Sequence, residues 1–332
     1  MPVVDSPRMS VGEATAVAHP NLALVKYWGN RDHALRIPAN GSISLTLGGL
    51  QTRTQVRFDS GLDRDQLTIN DQPAEPAAQE RVTGHLNLIR ELAGKRVPAL
   101  VSSQSDFPQE AGLASSAAAF AALTLAGCAA AGLKLDRREL SSLARRGSGS
   151  AARSLYGGFV ELVAGEDHRS SFAQPLAPAD HWKLIDLILL VSRESKVTGS
   201  TAGHAAADTS PLQAARVADA PRRLQECREA ISTKDFARLT EVVEQDSDMM
   251  HAVMMTSTPA LHYLQPLTLA VMASVRSLRA LGVAACYTVD AGPNVHCLCL
   301  PEGEQSLRET LEGLSPNQEI LRAMPGEAAW LV

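Results

Sequence analysis

Phe107-Pro-Gln-Glu-Ala-Gly-Leu-Ala-Ser-Ser-Ala-Ala-Ala119 is the stretch on which the fold turns. Gly112 and the pair Ser115 and Ser116 open an apolar, alanine-rich run that continues to Ala131. The run reads as one long buried helix over 112–131. The first turn of a helix leaves backbone N–H groups unpaired, and the dipole behind them favours an anion. Small side chains let a phosphate come close, and the serine hydroxyls suit phosphate or Mg²⁺. The segment lacks the Gly-Lys-Ser/Thr of a nucleotide-binding P-loop. A capped helix that merely packs closely would read the same way, so this stretch alone leaves both readings open.

Before that helix, 14–25 reads as a strand. Residues 42–58 alternate and read as a hairpin about Gly48-Gly49. A short strand over 63–72 turns at Asn70-Asp71, a helix occupies 78–94, and a strand covers 97–103. Beyond it comes a helix over 137–146 ended by Gly147, then strands over 155–163 and 184–191. The last is a continuous apolar run, expected at the centre of a sheet. Residues 209–281 carry helical spacing, and two strands, 286–289 and 295–300, flank Asp290-Ala-Gly-Pro-Asn294. A helix over 307–314 closes the series. Strands early and helices late predict an α+β fold with two lobes enclosing a cleft. The lobes are a strand-rich one over 1–190 and a mainly helical one over 191–332 with closing strands.

The chain has 332 residues, 45 % hydrophobic and 20 % charged, with formal net charge −5. It can bury a substantial core, and nothing marks it as a nucleic-acid binder. No apolar stretch is long enough to span a bilayer, and no secretory signal stands at the start. The cysteines are odd in number, Cys128, Cys227, Cys286, Cys297 and Cys299, without a Cys-x-x-Cys. They read as buried thiols of a cytosolic protein rather than disulfides or metal ligands. His251 and His262 flank a methionine-rich stretch and read as core or interface rather than a metal box. Arg137, Arg138, Arg145 and Arg146 read as a solvated helix face.

Three more motifs carry chemistry. Arg146-Gly-Ser-Gly-Ser-Ala-Ala-Arg153 combines exposed amides, the hydroxyls of Ser148 and Ser150, and a guanidinium suited to a carboxylate or phosphate. Asn21-Leu-Ala-Leu-Val-Lys-Tyr-Trp-Gly-Asn-Arg-Asp32 puts Lys26 at the end of an apolar strand, where it can meet a phosphate in a cleft. Asp290 follows a strand and precedes a Gly-Pro turn. Each has an ordinary reading too: a flexible turn, a solvent-facing lysine, plain turn chemistry.

Taken together and in order, these segments resemble the mevalonate diphosphate decarboxylase family of the GHMP kinase superfamily. Its pattern runs Asn-Ile-Ala-x-x-Lys-Tyr-Trp-Gly-Lys-Arg-Asp, Phe-Pro-x-x-Ala-Gly-Leu-Ala-Ser-Ser-Ala, Arg-x-Gly-Ser-Gly-Ser-Ala-x-Arg-Ser and Asp-Ala-Gly-Pro-Asn. Pro38-Ala-Asn-Gly-Ser-Ile-Ser44 and Ser195-Lys-Val-Thr-Gly-Ser-Thr-Ala-Gly203 also look like family segments, and the similarity spans about Ala16 to Leu300. It implies a GHMP-kinase-like fold with a central cleft, a homodimer, a small-molecule substrate, and ATP with Mg²⁺.

The resemblance also implies roles. Asp290 would orient or deprotonate a tertiary hydroxyl, Lys26 would keep Asp290 ionised, and Arg153 would grip the substrate carboxylate. Asn21, Tyr27, Asn30, Ser148, Ser150 and Ser200 would bind substrate. Ser105, Gly112, Ser115 and Ser116 would bind ATP. Two positions depart from the family. Asn30 stands where the family has a second lysine, and Ser105-Asp106 replaces Asn-Asn. Phosphomevalonate decarboxylases share the missing lysine and an Ala-His-Pro start, here Ala18-His19-Pro20. The expected substrate is therefore mevalonate 5-phosphate, giving isopentenyl phosphate, with the 5-diphosphate as the alternative. A mevalonate 3-kinase and a non-catalytic nucleotide-binding regulator are more remote.

Overall fold

A computed structural model describes residues 12–108, 115–193 and 199–332. In chain order the elements begin with β1 (Glu13–Ala18), β2 (Asn21–Val25), β3 (Asn30–Asp32), β4 (Ile37–Pro38), β5 (Ser42–Gly48), β6 (Thr52–Phe58), β7 (Gln66–Ile69) and β8 (Gln72–Pro73). Next come α1 (Pro76–Ala93), β9 (Ala99–Ser105), α2 (Ser115–Ala131), α3 (Arg137–Gly147), a 3₁₀ segment (Gly149–Leu155), β10 (Phe159–Leu162), β11 (Ala173–Ala177) and β12 (Ile185–Leu189). The remainder is α4 (Ser200–Ala206), α5 (Gln213–Thr233), α6 (Phe236–Thr256), α7 (Pro266–Ala280), β13 (Ala285–Val289), β14 (Val295–Cys299), α8 (Glu304–Leu314), β15 (Ile320–Pro325) and β16 (Trp330–Leu331). Helices and strands are mixed as expected.

Two large sheets organise the molecule. One has the order β16-β1-β6-β9-β7-β8. Its core is shared with α1, α2 and α3, through Val56, Val101, Leu86, Ile89, Phe120 and Leu140. The other runs β11-β10-β5-β15-β12-β14-β13, with β2 also paired to β5. Helices α5 and α6 cover one face of this sheet, burying Leu22, Leu45, Ile188, Leu224 and Leu239. Around β12–β14 the opposite face is covered by α7 and α8. This double cover explains the uninterrupted apolar run of β12, which lies inside the sheet as expected. Strands on either side of residue 190 share this second sheet.

Local signals were mostly sound. Asn70 and Asp71 both take positive φ, 48° and 63°, in the tight β7–β8 turn. Helix α3 opens with a capping box between Asp136 and Glu139. The proposed hairpin over 42–58 does not form: β5 pairs with β2, β10 and β15, while β6 pairs with β1 and β9 in the other sheet. Gly49, at φ +90°, lies in the link where the chain leaves one sheet for the other. The strand expected over 14–25 is two strands, split at His19-Pro20. The strand expected from 155 begins at Phe159, because Leu155 closes the 3₁₀ segment.

The solvated arginine face on α3 also needs correcting. Arg145 is fully buried, donating from Nη1 to the Ser171 carbonyl at 2.7 Å and approaching His168 Nδ1 at 3.1 Å. Arg137 donates to the carbonyls of Leu155 and Ala329, and the Arg138 guanidinium lies 3.7 Å from the Phe172 ring centroid. All five cysteines are reduced and buried, and no described helix is long and apolar enough to cross a membrane.

Candidate active site

Lys26 follows β2 and Asp290 follows β13, so both sit where a strand has just ended. Lys26 Nζ donates to Asp290 Oδ1 at 2.7 Å and to the Ala23 carbonyl at 2.6 Å. The lysine side chain is 3 % exposed and the aspartate 22 %, so the carboxylate is the partner that still meets the cleft.

Helix α6 holds both backbones. The Lys26 N–H donates to Asp246 Oδ2 at 2.7 Å, and the Lys26 carbonyl accepts from Arg216 Nη2 at 2.8 Å and Asn40 Nδ2 at 3.1 Å. Asp246 is itself buried against Arg216 and Arg223, both also buried. One residue on, Ser247 Oγ accepts from the Val289 N–H at 3.0 Å; His251 Nε2 donates to the Val289 carbonyl at 3.2 Å. Burial pushes the His251 pKa down to about 4, so the ring is neutral at pH 7. The methionine-flanked histidine is thus a core residue bonded to the last residue of β13.

Arg153 projects from the 3₁₀ segment. Its Nη1 donates to Ser42 Oγ at 2.6 Å, and Nε and Nη2 donate to Asn21 Oδ1 at 3.2 and 2.9 Å. Asn21 is fixed in turn by donating to Ser154 Oγ at 2.7 Å and the Ser150 carbonyl at 3.1 Å. Burial first, against the counteracting fields of Tyr27 and Asp290, takes the Arg153 pKa down to about 10, so it stays cationic. Among the described residues no carboxylate pairs with it. A buried cation that pairs with no described carboxylate is poised for an anionic ligand. Gly149 makes room for this arrangement: a Cβ there would lie 1.6 Å from the Tyr27 hydroxyl.

These groups line one cleft of about 700 Å³ together with Asn21, Tyr27, Asn30, Ser115, Ser116, Ser148 and Ser150. Ser116 Oγ and Ser148 Oγ are 3.1 Å apart, and Ser148 Oγ lies 3.4 Å from Ser150 Oγ. Among the described residues, four cations, Lys26, Arg36, Arg81 and Arg153, face a single carboxylate, Asp290, so the cleft favours a polyanion. Past Ser115, Ser116 and Arg81 a slot of about 180 Å³ continues between the first sheet and α1–α2, walled by Leu67, Val82, Val101 and Phe120. A cationic cleft opening into an apolar slot suits a phosphorylated ligand with a flat apolar end.

Of the residues singled out in the sequence, Ser105 lies in neither wall; its Oγ is 2.8 Å from Thr52 Oγ1, and Ser103 lines the slot instead. Gly112 and residues 194–198 lie outside the described residues. Ser200 begins α4, between the cleft-lining Gly199 and Thr201. Sequence reasoning missed Arg36, Arg81, Ser42, Asp246 and His204. Arg36 adopts φ 50°, and no local pattern announces it. Arg81 sits on an amphipathic helix, where an arginine ordinarily reads as solvated.

Among the described residues no group of three His, Cys, Asp or Glu is placed to hold a metal ion. Two family models match the chain: a diphosphomevalonate decarboxylase-like N-terminal domain over residues 18–173 and a mevalonate 5-diphosphate decarboxylase C-terminal domain over 186–328. Diphosphomevalonate decarboxylase of Aspergillus fumigatus is 38 % identical, covering 93 % of this chain and 82 % of its own. Mevalonate diphosphate decarboxylase from Staphylococcus aureus superposes with TM-score 0.93 at 36 % identity, over 97 % of this chain and 98 % of that one. MDDEF in complex with MVAPP, AMPPCP and magnesium gives the same TM-score, 0.93, at 36 % identity, over 97 % and 99 %.

Proposed function

The chain belongs to the diphosphomevalonate decarboxylase family, and from that premise we propose that it decarboxylates a 5-phosphorylated mevalonate with consumption of one ATP. The observation that carries this reading is the Lys26–Asp290 pair set beside Arg153, which pairs with no carboxylate among the described residues, in a cationic cleft. The C3 hydroxyl attacks the γ-phosphorus of ATP, the bond from that phosphorus to the β,γ-bridging oxygen breaks to release ADP, and the hydroxyl proton passes to Asp290. A tertiary hydroxyl is a poor leaving group and its phosphate ester a good one. The C3–O bond then breaks with its electrons going to phosphate. The C–COO⁻ bond follows, its electrons forming the new C=C as CO₂ departs. Lys26 keeps Asp290 ionised and offsets charge on the moving phosphoryl group. Arg153 holds the carboxylate, oriented by Asn21 and Ser42, and Ser148 and Ser150 add hydroxyl contacts.

Ser115 and Ser116, hydroxyls at the mouth of the apolar slot, fit ATP phosphates and a Mg²⁺ held mainly by phosphate oxygens, as that ion prefers. Bound there, Mg²⁺ would neutralise charge on the transferring phosphate. The slot beyond them takes the nucleoside.

The relatives are named as diphosphomevalonate enzymes, which supports mevalonate 5-diphosphate as substrate and isopentenyl diphosphate as product. The monophosphate expected from the sequence therefore becomes the second reading. One observation favours it: Asn30, at the place of the family's second lysine, lines the cleft as a buried neutral amide. A homodimer and a reducing compartment matching the buried thiols complete the proposal. ADP and CO₂ measured separately with each mevalonate derivative test it. Matched release of both supports decarboxylation. ADP without CO₂ would make the protein a kinase, and neither would leave a nucleotide-binding regulator.

A further inference from the structure

His204 lies on α4, partly exposed at the wall of the cleft. Its ring stacks on Tyr27 at 4.8 Å between centroids and 20° between planes, and it sits 4.4 Å from Trp28 at 34°. The two aromatics flank it on the chain segment that also supplies Lys26. Its Nδ1 accepts from the Gly29 backbone N–H at 3.0 Å. An accepting Nδ1 carries no proton, so the proton of the neutral ring is on Nε2. Nε2 is absent from the buried polar atoms that lack a partner, and no described residue accepts from it, so it meets the solvent of the cleft. Three residues back along α4, on the same face, Thr201 Oγ1 accepts from Arg36 Nη1 at 3.5 Å. Arg36, Thr201, His204 and Asn30 thus form one polar corner of the cleft, separate from the Lys26–Asp290–Arg153 set.

We propose that His204 is a substrate-binding residue that donates one Nε2–H hydrogen bond to the 5-phosphate end of the substrate, beside Arg36. The assignment rests on the reading of the cleft given above, which places the substrate carboxylate and C3 hydroxyl at Arg153 and Asp290. The geometry has a further consequence. The donor is uncharged, because burial first, then Arg36, His33 and Arg216, push the His204 pKa down to about 3. The charged and titratable groups around the ring are Arg36 and His33 from the β3–β4 connection, Arg216 from α5 and the Tyr27 phenol. With the first three cationic or neutral and Tyr27 protonated, none favours the imidazolium. Asn30 and His204 therefore both offer this corner neutral hydrogen bonds, and Arg36 supplies full charge beside them.

Two variants separate stacking from donation. His204→Phe keeps a flat ring between Tyr27 and Trp28 and removes the donor; His204→Gln retains an N–H. In His204→Phe, KM for the phosphorylated mevalonate should rise about tenfold, the scale of one hydrogen bond to a charged group, with KM for ATP unchanged. His204→Gln should recover most of that loss. Wild-type KM should not fall between pH 8 and 5.5, where the substrate phosphate itself begins to lose charge; a KM that falls as pH drops through 6–7 would identify an imidazolium ligand and overturn the assignment. An unchanged KM in His204→Phe would also overturn it. Should the wild type turn over neither mevalonate derivative, the activity reading fails on its own. Titration of the wild type with inorganic pyrophosphate, followed by the imidazole ¹⁵N resonances, still decides the contact. A shift of His204 Nε2 supports it, and no shift refutes it.

Discussion

On the side of the cleft built by β2 and β13 and backed by α5 and α6, Lys26 and Asp290, and behind them Asp246, Arg216 and Arg223, are all tied to opposite charges. On the facing walls, Arg36 and Arg81 form no ion pair among the described residues; Arg36 reaches only Thr201, and Arg81 lies 5.0 Å over the Phe120 ring. On the function proposed above, the difference separates chemistry from capture. Groups that move a proton must be held in register before substrate arrives, because misplacement by about 1 Å can cost on the order of 100-fold in rate. Groups that capture a polyanion do better unpaired, since any protein carboxylate would compete with the ligand.

Breaking the paired wall should have the largest effect. Asp290→Asn should lower kcat by roughly 10³-fold, within the range of a lost general base, while KM for either substrate stays near wild type; steady-state ADP release measures both. A KM change of similar size would mean that Asp290 serves binding instead.

Acid should act next, through His251 behind that wall and through His85, which lies between α1 and α2 against Thr124. His251 and His85 are buried and neutral, with pKa values pushed down to about 4 and about 3. Their unfolded value lies near 6.5, so the unfolded chain binds more protons below that pH. Stability is then full above about pH 6.5 and declines as pH falls toward 4. Each histidine should cost about 2 kcal/mol between pH 7 and pH 5. Urea unfolding at the two pH values checks this, and a stability that holds constant would mean these rings are already charged in the fold.

The unpaired wall should respond differently. Arg36→Gln should raise KM for the phosphorylated mevalonate about tenfold and leave kcat within twofold, the signature of lost uniform binding. Smallest of all, Ser247→Ala removes the hydroxyl that accepts from the Val289 N–H. It should lower kcat about fivefold without moving either KM, on the scale of one hydrogen bond, and Ser247→Thr should restore most of it. A thermal shift with unchanged kcat would reduce Ser247 to a packing residue.

The site was partly legible in the sequence. Lys26, Asp290 and Arg153 stand in short motifs whose order is informative, and the structure brings all three to one cleft. Their support was not legible: Asp246 lies 220 positions from Lys26, and an acidic residue inside a helix ordinarily reads as solvated. Arg145 misled for the same reason, since its partners are carbonyls and a histidine that no local pattern ties to it. The sheet crossing at Gly48-Gly49 looked like a hairpin because alternation reports which face is buried, not which strand is adjacent. His204 gave no signal at all: its meaning comes from two aromatics and a backbone N–H brought to it from far upstream.

The placement of β15 and β16 bears on how the molecule is assembled. Strand β15 lies between β5 and β12, and β16 pairs with β1. Strands made early on the ribosome therefore wait for residues 320–331 before either sheet has its full set of neighbours. During synthesis the edge of β5 facing β15 and the edge of β1 facing β16 remain open, and open strand edges are where nascent chains mispair with one another. Recombinant yield should accordingly depend more on this last hairpin-length stretch than its small share of the core suggests.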